Sequence, residues 1–164
     1  MAKTYEAIAT ATATGSQNTI TFASVPSTYT DIILISTCVP TLSVGFLVNL
    51  NSDTNGINYS RTVMSADGST AGSFRNSGSA NLNANRDLGA FRSNATHIAH
   101  FMNYSNSTTF KTILTRFNNP SGDVGSVALL WRNTQAITNI SLTNDASSNF
   151  ISGSTFTLYG IKAA

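Results

Sequence analysis

The sequence predicts an all-β protein: a jelly-roll-like antiparallel β-sandwich of about nine or ten strands with no major helix. Three observations carry that expectation. Thr, Val, Ile, Phe and Tyr are plentiful and the helix formers Glu, Lys, Gln and Met are rare, a balance that favours pleated, half-buried strands. Short apolar or alternating runs recur, separated by turn residues, which is the spacing of a sandwich or barrel. Roughly two residues in five are Ser, Thr or Asn and only 10% are charged, yet 41% are hydrophobic. A disordered chain would not combine that polarity with that apolar share.

The first strand is expected at residues 5–12, where Ile8 sits among Ala and Thr. Gly15-Ser-Gln-Asn18 then turns the chain. Residues 19–22 alternate, so that Ile20 and Phe22 share a face. Pro26-Ser-Thr28 interrupts. Residues 31–37 hold Ile32-Ile-Leu-Ile35, apolar on both faces, which places this strand at the centre of a sheet. Pro40 ends it. Residues 44–50 and 59–65 read as a hairpin around the turn signal Asn55-Gly56.

Residues 66–95 form a long polar, loop-rich segment with the sparse anchors Phe74, Leu82, Leu88 and Phe91. A structureless loop of that length is unusual in a compact domain, so a short strand is expected near residues 73–75. Regular pattern resumes with a strand at residues 98–104 that turns at Asn106-Ser107 and pairs back over 109–117. Residues 118–125 are dense in turn chemistry. Residues 126–132 put Val127, Leu129 and Trp131 on one face. Strands at 137–142 and 154–162 follow, separated by a polar loop at 144–149. The whole chain, 1–164, reads as one domain, large enough to bury a core without a disulfide or a metal.

The composition also bounds function. Nine basic and seven acidic residues give a net charge of +2. The cations are scattered, whereas nucleic-acid binding wants several on one face. No apolar stretch approaches a membrane span, so neither nucleic acid nor membrane is expected as a partner. Residues 1–8 lack an apolar leader core, so synthesis in a cytoplasm is expected. The single cysteine, Cys38, reads as a buried small hydrophobe.

No catalytic constellation stands out. His97 and His100 fall on opposite faces of a strand and do not share a metal; one is expected at the core rim and the other toward solvent. No Gly-x-Ser-x-Gly turn marks a nucleophile. Asp53, Asp67, Asp123 and Asp145 sit beside Asn, Ser or Gly, where Asp bonds turn amides. No cofactor is expected. Trp131 and Tyr159 are possible sugar-stacking rings, but Trp131 shares a face with Val127 and Leu129, which favours packing. In the long segment, Phe74, Arg75, Arg86, Phe91 and Arg92 read either as a solvated loop with two anchoring rings or as an interface arm, since Arg and aromatics concentrate at hot spots.

Three segments carry a resemblance: the opening Met1-Ala-Lys-Thr-Tyr-Glu-Ala-Ile8, the block Ile20-Thr-Phe-Ala-Ser-Val-Pro-Ser-Thr-Tyr-Thr-Asp-Ile-Ile-Leu34, and the ending Gly153-Ser-Thr-Phe-Thr-Leu-Tyr-Gly-Ile161. Together they resemble small virion structural proteins of tailed bacteriophages. The resemblance implies a β-sandwich, often a jelly roll, working as a homotrimer in the virion. Its implied role is capsid decoration (cement) on the major capsid protein, or service in a tail or fibre that contacts host glycans. It brings no catalytic residues. A free carbohydrate-binding module is the alternative outside the virion.

Overall fold

The computed structural model describes residues 4–38, 44–77, 87–91, 95–119, 122–144 and 148–162. Twelve strands run in the order β1 Tyr5–Thr12, β2 Thr19–Phe22, β3 Asp31–Cys38, β4 Val44–Leu50, β5 Tyr59–Ala66, β6 Ala71–Ser77, β7 Asp87–Phe91, β8 Ala95–Met102, β9 Lys111–Asn119, β10 Asp123–Trp131, β11 Ile140–Asn144 and β12 Thr155–Ile161. The only helical turn among the described residues is the 3-10 turn Gly56–Asn58. One sheet has eight strands in the order β1-β12-β3-β8-β9-β10-β5-β6, and the other has four in the order β2-β11-β4-β7. Every pairing is antiparallel.

This order contains a jelly roll. With β5, β6, β9 and β10 set aside, what remains is β1-β12-β3-β8 facing β2-β11-β4-β7, the two four-stranded sheets of that fold. The first three links between these strands, β1 to β2, β2 to β3 and β3 to β4, each cross from one sheet to the other. Two inserted hairpins, β5-β6 and β9-β10, then extend one sheet from four strands to eight.

That extension corrects one expectation. Residues 44–50 and 59–65 are not a hairpin: β4 pairs with β11 and β7, while β5 pairs with β10 and β6. Asn55 instead caps the helical turn, its side chain accepting from the Ile57 amide. Asp53 organises the crossing. Its carboxylate accepts from the Asn55 amide at 2.9 Å, Asn58 Nδ2 at 2.8 Å and Trp131 Nε1 at 2.8 Å, and its carbonyl accepts from the Tyr59 hydroxyl. The local cue for a turn is real, but the chain leaves that turn for the other sheet.

Strand ends also shift. The segment 118–125, expected as a turn, is largely ladder: Asn118 pairs with Val124 and Asn119 with Asp123. Strand β11 starts at Ile140. Ile137, expected inside it, is a buried anchor in the preceding loop, its amide donating to the Tyr104 carbonyl. Asn51 holds that loop, accepting from the Thr138 and Asn139 amides and donating to the Ala136 carbonyl. Pro40 and Asp145 lie outside the described residues, as does the side chain of Cys38, the last residue of β3.

The core lies between the sheets. Strand β8 shows why the chain folds this way: Ala95, His97, Ala99 and Phe101 point inward and are buried, and the alternate residues are half-exposed. Ile32, Leu34, Ile113, Leu129 and Trp131 of the large sheet meet Phe46, Val48, Leu50, Ile140 and Leu142 of the small one, all within one cluster. Each such side chain contributes about 1.5–3 kcal/mol by leaving water. Val127, Leu129 and Trp131 share the inward face, as their alternation predicts.

Polar ties fix the added hairpins to the jelly roll. Arg61 on β5 forms an ion pair with Asp87 on β7 at 2.7 Å and donates to the Asp87 carbonyl and to Asn76. The Asp87 carboxylate also accepts from the Phe46 amide. Lys111 is almost fully buried, its ammonium donating to the carbonyls of Thr109 and Thr134. Near the β1 edge, the Tyr29 ring lies flat against Gly160, leaving no room for a methyl group there. The Tyr29 hydroxyl donates to Glu6, which also pairs with Lys162 at 3.1 Å.

Candidate interaction surface

The residues expected to form an interface arm are not brought together. Residues 71–77 are an edge strand, longer than the short strand expected near 73–75, and a second strand, β7, follows at Asp87–Phe91 in the other sheet. Phe74 and Arg75 therefore point to opposite faces of β6. Phe74 lies opposite Val63, on the inward side but beyond the reach of the small sheet, so its ring stays half-exposed with the Arg61 guanidinium 5.4 Å from its centroid. Arg75 lies opposite Thr62 on the outward side. Phe91 ends β7 opposite Val44, and its side chain lies outside the described residues, as do Arg86 and Arg92.

The two histidines divide as their spacing predicts. His97 is fully buried between the Phe46 ring at 4.9 Å and the Phe117 ring at 6.1 Å. His100 is outward and half-exposed, with Nε2 2.9 Å from the Asp31 carboxylate. Among the described residues no group of three or more His, Cys, Asp or Glu side chains gathers as metal ligands would. Trp131 is fully buried and its N–H is bonded to Asp53, so it offers no ring to a sugar. Asp53 and Asp67 bond turn amides as expected, and these amides hold the Asp67 carboxyl below the usual range, led by Thr70. Asp123 is instead the first residue of β10.

What the strand order does bring together is the outer face of the eight-stranded sheet. The jelly-roll half contributes Tyr5, Tyr159, Ile33, Ile35 and Ile98; the added half contributes Leu114, Ala128, Met64 and Val124. Register places Tyr159, Ile33, His100, Leu114 and Ala128 in one row, and Ile35, Ile98, Arg116, Ser126 and Met64 in the next. Leu114, Met64 and Val124 keep 45%, 55% and 61% of their surface exposed. Isolated exposed apolar residues are ordinary, but a contiguous patch marks a contact surface.

Two adjoining hollows shape this face. One, of about 440 Å³, runs between Ile33, Ile98, Leu114 and Met64. The other, of about 330 Å³, lies between Tyr5, Ile35 and Tyr159, and the two share Ile33, Ile98 and Arg116. Among the described residues, the outward Asp, His, Lys and Arg side chains of these strands are Asp31, His100, Arg116 and Arg75, and Arg132 just past β10 bonds the outward Ser60 and Ser77 hydroxyls. Threonines 12, 155, 37 and 96 form a hydroxyl row at one end.

The outer face of the four-stranded sheet is different. Thr19, Thr21, Ser141 and Thr143 line it, and they bond one another across the strands: Thr19 to Thr143 at 3.2 Å and Thr21 to Ser141 at 3.0 Å. The described outer face of the small sheet is thus hydroxyl-lined and self-bonded, whereas the large one carries an apolar patch at its middle with hydroxyl side chains around it. No protein-family model matches this chain, and no curated protein matches it.

Proposed function

We propose that this chain is a non-enzymatic virion structural protein of a tailed phage, a decoration (cement) protein on the outside of the capsid. The observation that carries the reading is the apolar patch on the broad outer face of the eight-stranded sheet, where Ile33, Ile35, Ile98, Leu114 and Met64 lie among hydroxyl side chains and few charges. A surface of that kind is made for assembly rather than for turning over a substrate. The phage-like segments of the sequence fall on β1, on β2 and β3, and on β12, so they belong to the jelly-roll half.

The mechanism is mechanical. A protein that binds the assembled shell and not its separated subunits stabilises the shell by mass action. Self-association multiplies weak contacts, because once one copy is docked the next binds at a high effective concentration. The hydroxyl- and amide-rich remainder of the surface suits wet contacts that salt screens little.

The test is to mix the purified protein with mature shells that lack it and sediment them. Saturable co-sedimentation at many copies per shell, with the shell melting at a higher temperature, is the expected result. Failure to bind shells removes the reading. Binding to a glycan array in its place moves the protein to a tail, a fibre or a free carbohydrate-binding role.

A further inference from the structure

We infer that the outer face of the eight-stranded sheet is the self-association surface, occupied by the same face of a second copy. The inference deepens the structural role proposed above, but it is tested independently of shell binding.

The first argument is size. With strands about 4.8 Å apart and outward residues about 6.8 Å apart along each strand, the face measures about 34 by 20 Å, or about 700 Å². A stable interface takes about 800 Å² from each partner, so one whole face against another is of the required size. A three-fold ring that splits the face between two neighbours leaves about 350 Å² per contact, well below that class. The size therefore favours a two-fold pair over the trimer expected from the resemblance.

The second argument is charge. Arg116 stands among Ile98 and Leu114 with no hydrogen-bond or ion-pair partner among the described residues. Asp31 is the only outward carboxylate in the strands of this face. It accepts from His100 Nε2 and the Asn103 amide, which leaves acceptor capacity on a group with about four lone-pair sites. Arg116 and Asp31 lie two strands apart, on either side of His100 in the register. A two-fold axis in the interface near His100 sets each Arg116 against Asp31 of the partner subunit. Arg75, at the far edge on β6, is a second outward cation with no partner among the described residues; the two-fold pairing sets Arg116 on the one underused anion, whereas a strongly basic partner would leave both cations unmatched.

The third argument is contrast. The other outer face is lined by Thr19, Thr21, Ser141 and Thr143, bonded across the strands, and among the described residues it exposes no apolar patch like that of Leu114, Met64 and Val124. The added hairpins supply Leu114, Arg116, Val124, Ala128 and Met64, so the insertions that depart from a plain jelly roll are also what widens this face to interface size.

The experiment is light scattering coupled to size exclusion on the full chain. The expected mass is that of two chains of 17.3 kDa each. Leu114→Glu puts a carboxylate at the centre of the face and yields monomers that keep the wild-type circular dichroism and a cooperative melt, whose midpoint no longer depends on protein concentration. Met64→Glu, on a different strand, does the same and serves if the first variant melts early. Arg116→Asp raises the dimer dissociation constant by about tenfold or more. Thr21→Glu, on the small sheet, leaves the dimer intact. A monomeric wild-type chain, a three-chain mass, or a dimer that Leu114→Glu and Met64→Glu both leave intact overturns the inference. A dimer that dissociates as expected but never binds shells upholds it and removes only the capsid role.

Discussion

Gly160→Ala is the perturbation that most directly probes the packing of the β1 edge. A methyl carbon built on Gly160 meets Cγ and Cδ1 of the Tyr29 ring at 2.4 Å and Cδ2 at 2.5 Å. Those are ring atoms, and the ring is pinned at its far end by the hydroxyl bond to Glu6 and flanked by the Lys162 ammonium 5.5 Å from its centroid. Moving it aside breaks these contacts, and moving β12 disturbs its ladders to β1 and β3. Overpacking of this kind costs about 1–3 kcal/mol. With Tyr29→Ala as background the obstacle is gone. The same Gly160→Ala change then becomes stabilising by about 0.4–1 kcal/mol, because a strand glycine has more freedom to lose on folding. The sign of the substitution thus reverses with residue 29, a coupling of about 1.4–4 kcal/mol. Urea unfolding of the double-mutant cycle reads it directly, and thermal melting should show about 2–4 °C per kcal/mol for a domain of this size. Equal destabilisation by Gly160→Ala in both backgrounds would show that the ring is not the reason glycine stands there.

Two further outcomes are expected. Asp53→Ala removes the acceptor for the Trp131 N–H, the Asn58 side chain and the Asn55 amide. With Trp131 fully buried its donor is orphaned, at a cost of about 2–4 kcal/mol, and the tryptophan emission shifts as its surroundings loosen; unchanged urea stability and emission would refute the assignment. Lys111 is held below the usual lysine range by desolvation, so between that lowered value and about 10.4 the unfolded chain binds more protons, and stability rises with pH. Tyr104, raised chiefly by burial, and Tyr29, raised chiefly by its bond to Glu6, stay neutral longer when folded, so stability falls as pH climbs past about 10. Lys111→Met should abolish the rise and keep the fall, read by urea midpoints across alkaline pH.

Much of the architecture was legible because alternation is a local signal. In β8, every second residue from Ala95 is buried, and in β12 Phe156 and Leu158 are. The apolar run in β3 correctly placed it inside a sheet, between β12 and β8. Strand β7 was not legible, because it has a single described apolar anchor, Leu88, and is held by the ion pair of Asp87 with a residue 26 positions away. The interaction face was not legible either. Leu114, Met64 and Ile35 come from three strands, and only the strand order puts them on one face. The one available cue was that β3 is apolar on both faces. That pattern placed the strand inside a sheet but did not say what its outward residues Ile33 and Ile35 meet, and among the described residues no second layer covers them.

The pairing of β1 with β12, Tyr5 opposite Ile161, also sets a timetable. Strand β1 has no partner until residues 155–161 are joined, and β2 likewise waits for β11. Pairings this distant in sequence make folding slow, since the cost of closing large loops precedes the reward. The reverse passage is obstructed as well: neither sheet can be peeled off by itself, because all but one of the links between successive jelly-roll strands, β4 to β7, cross from one sheet to the other. A chain wound in this way trades speed of formation for persistence once formed, because a slow unfolding rate keeps the assembled sheets together long after they close.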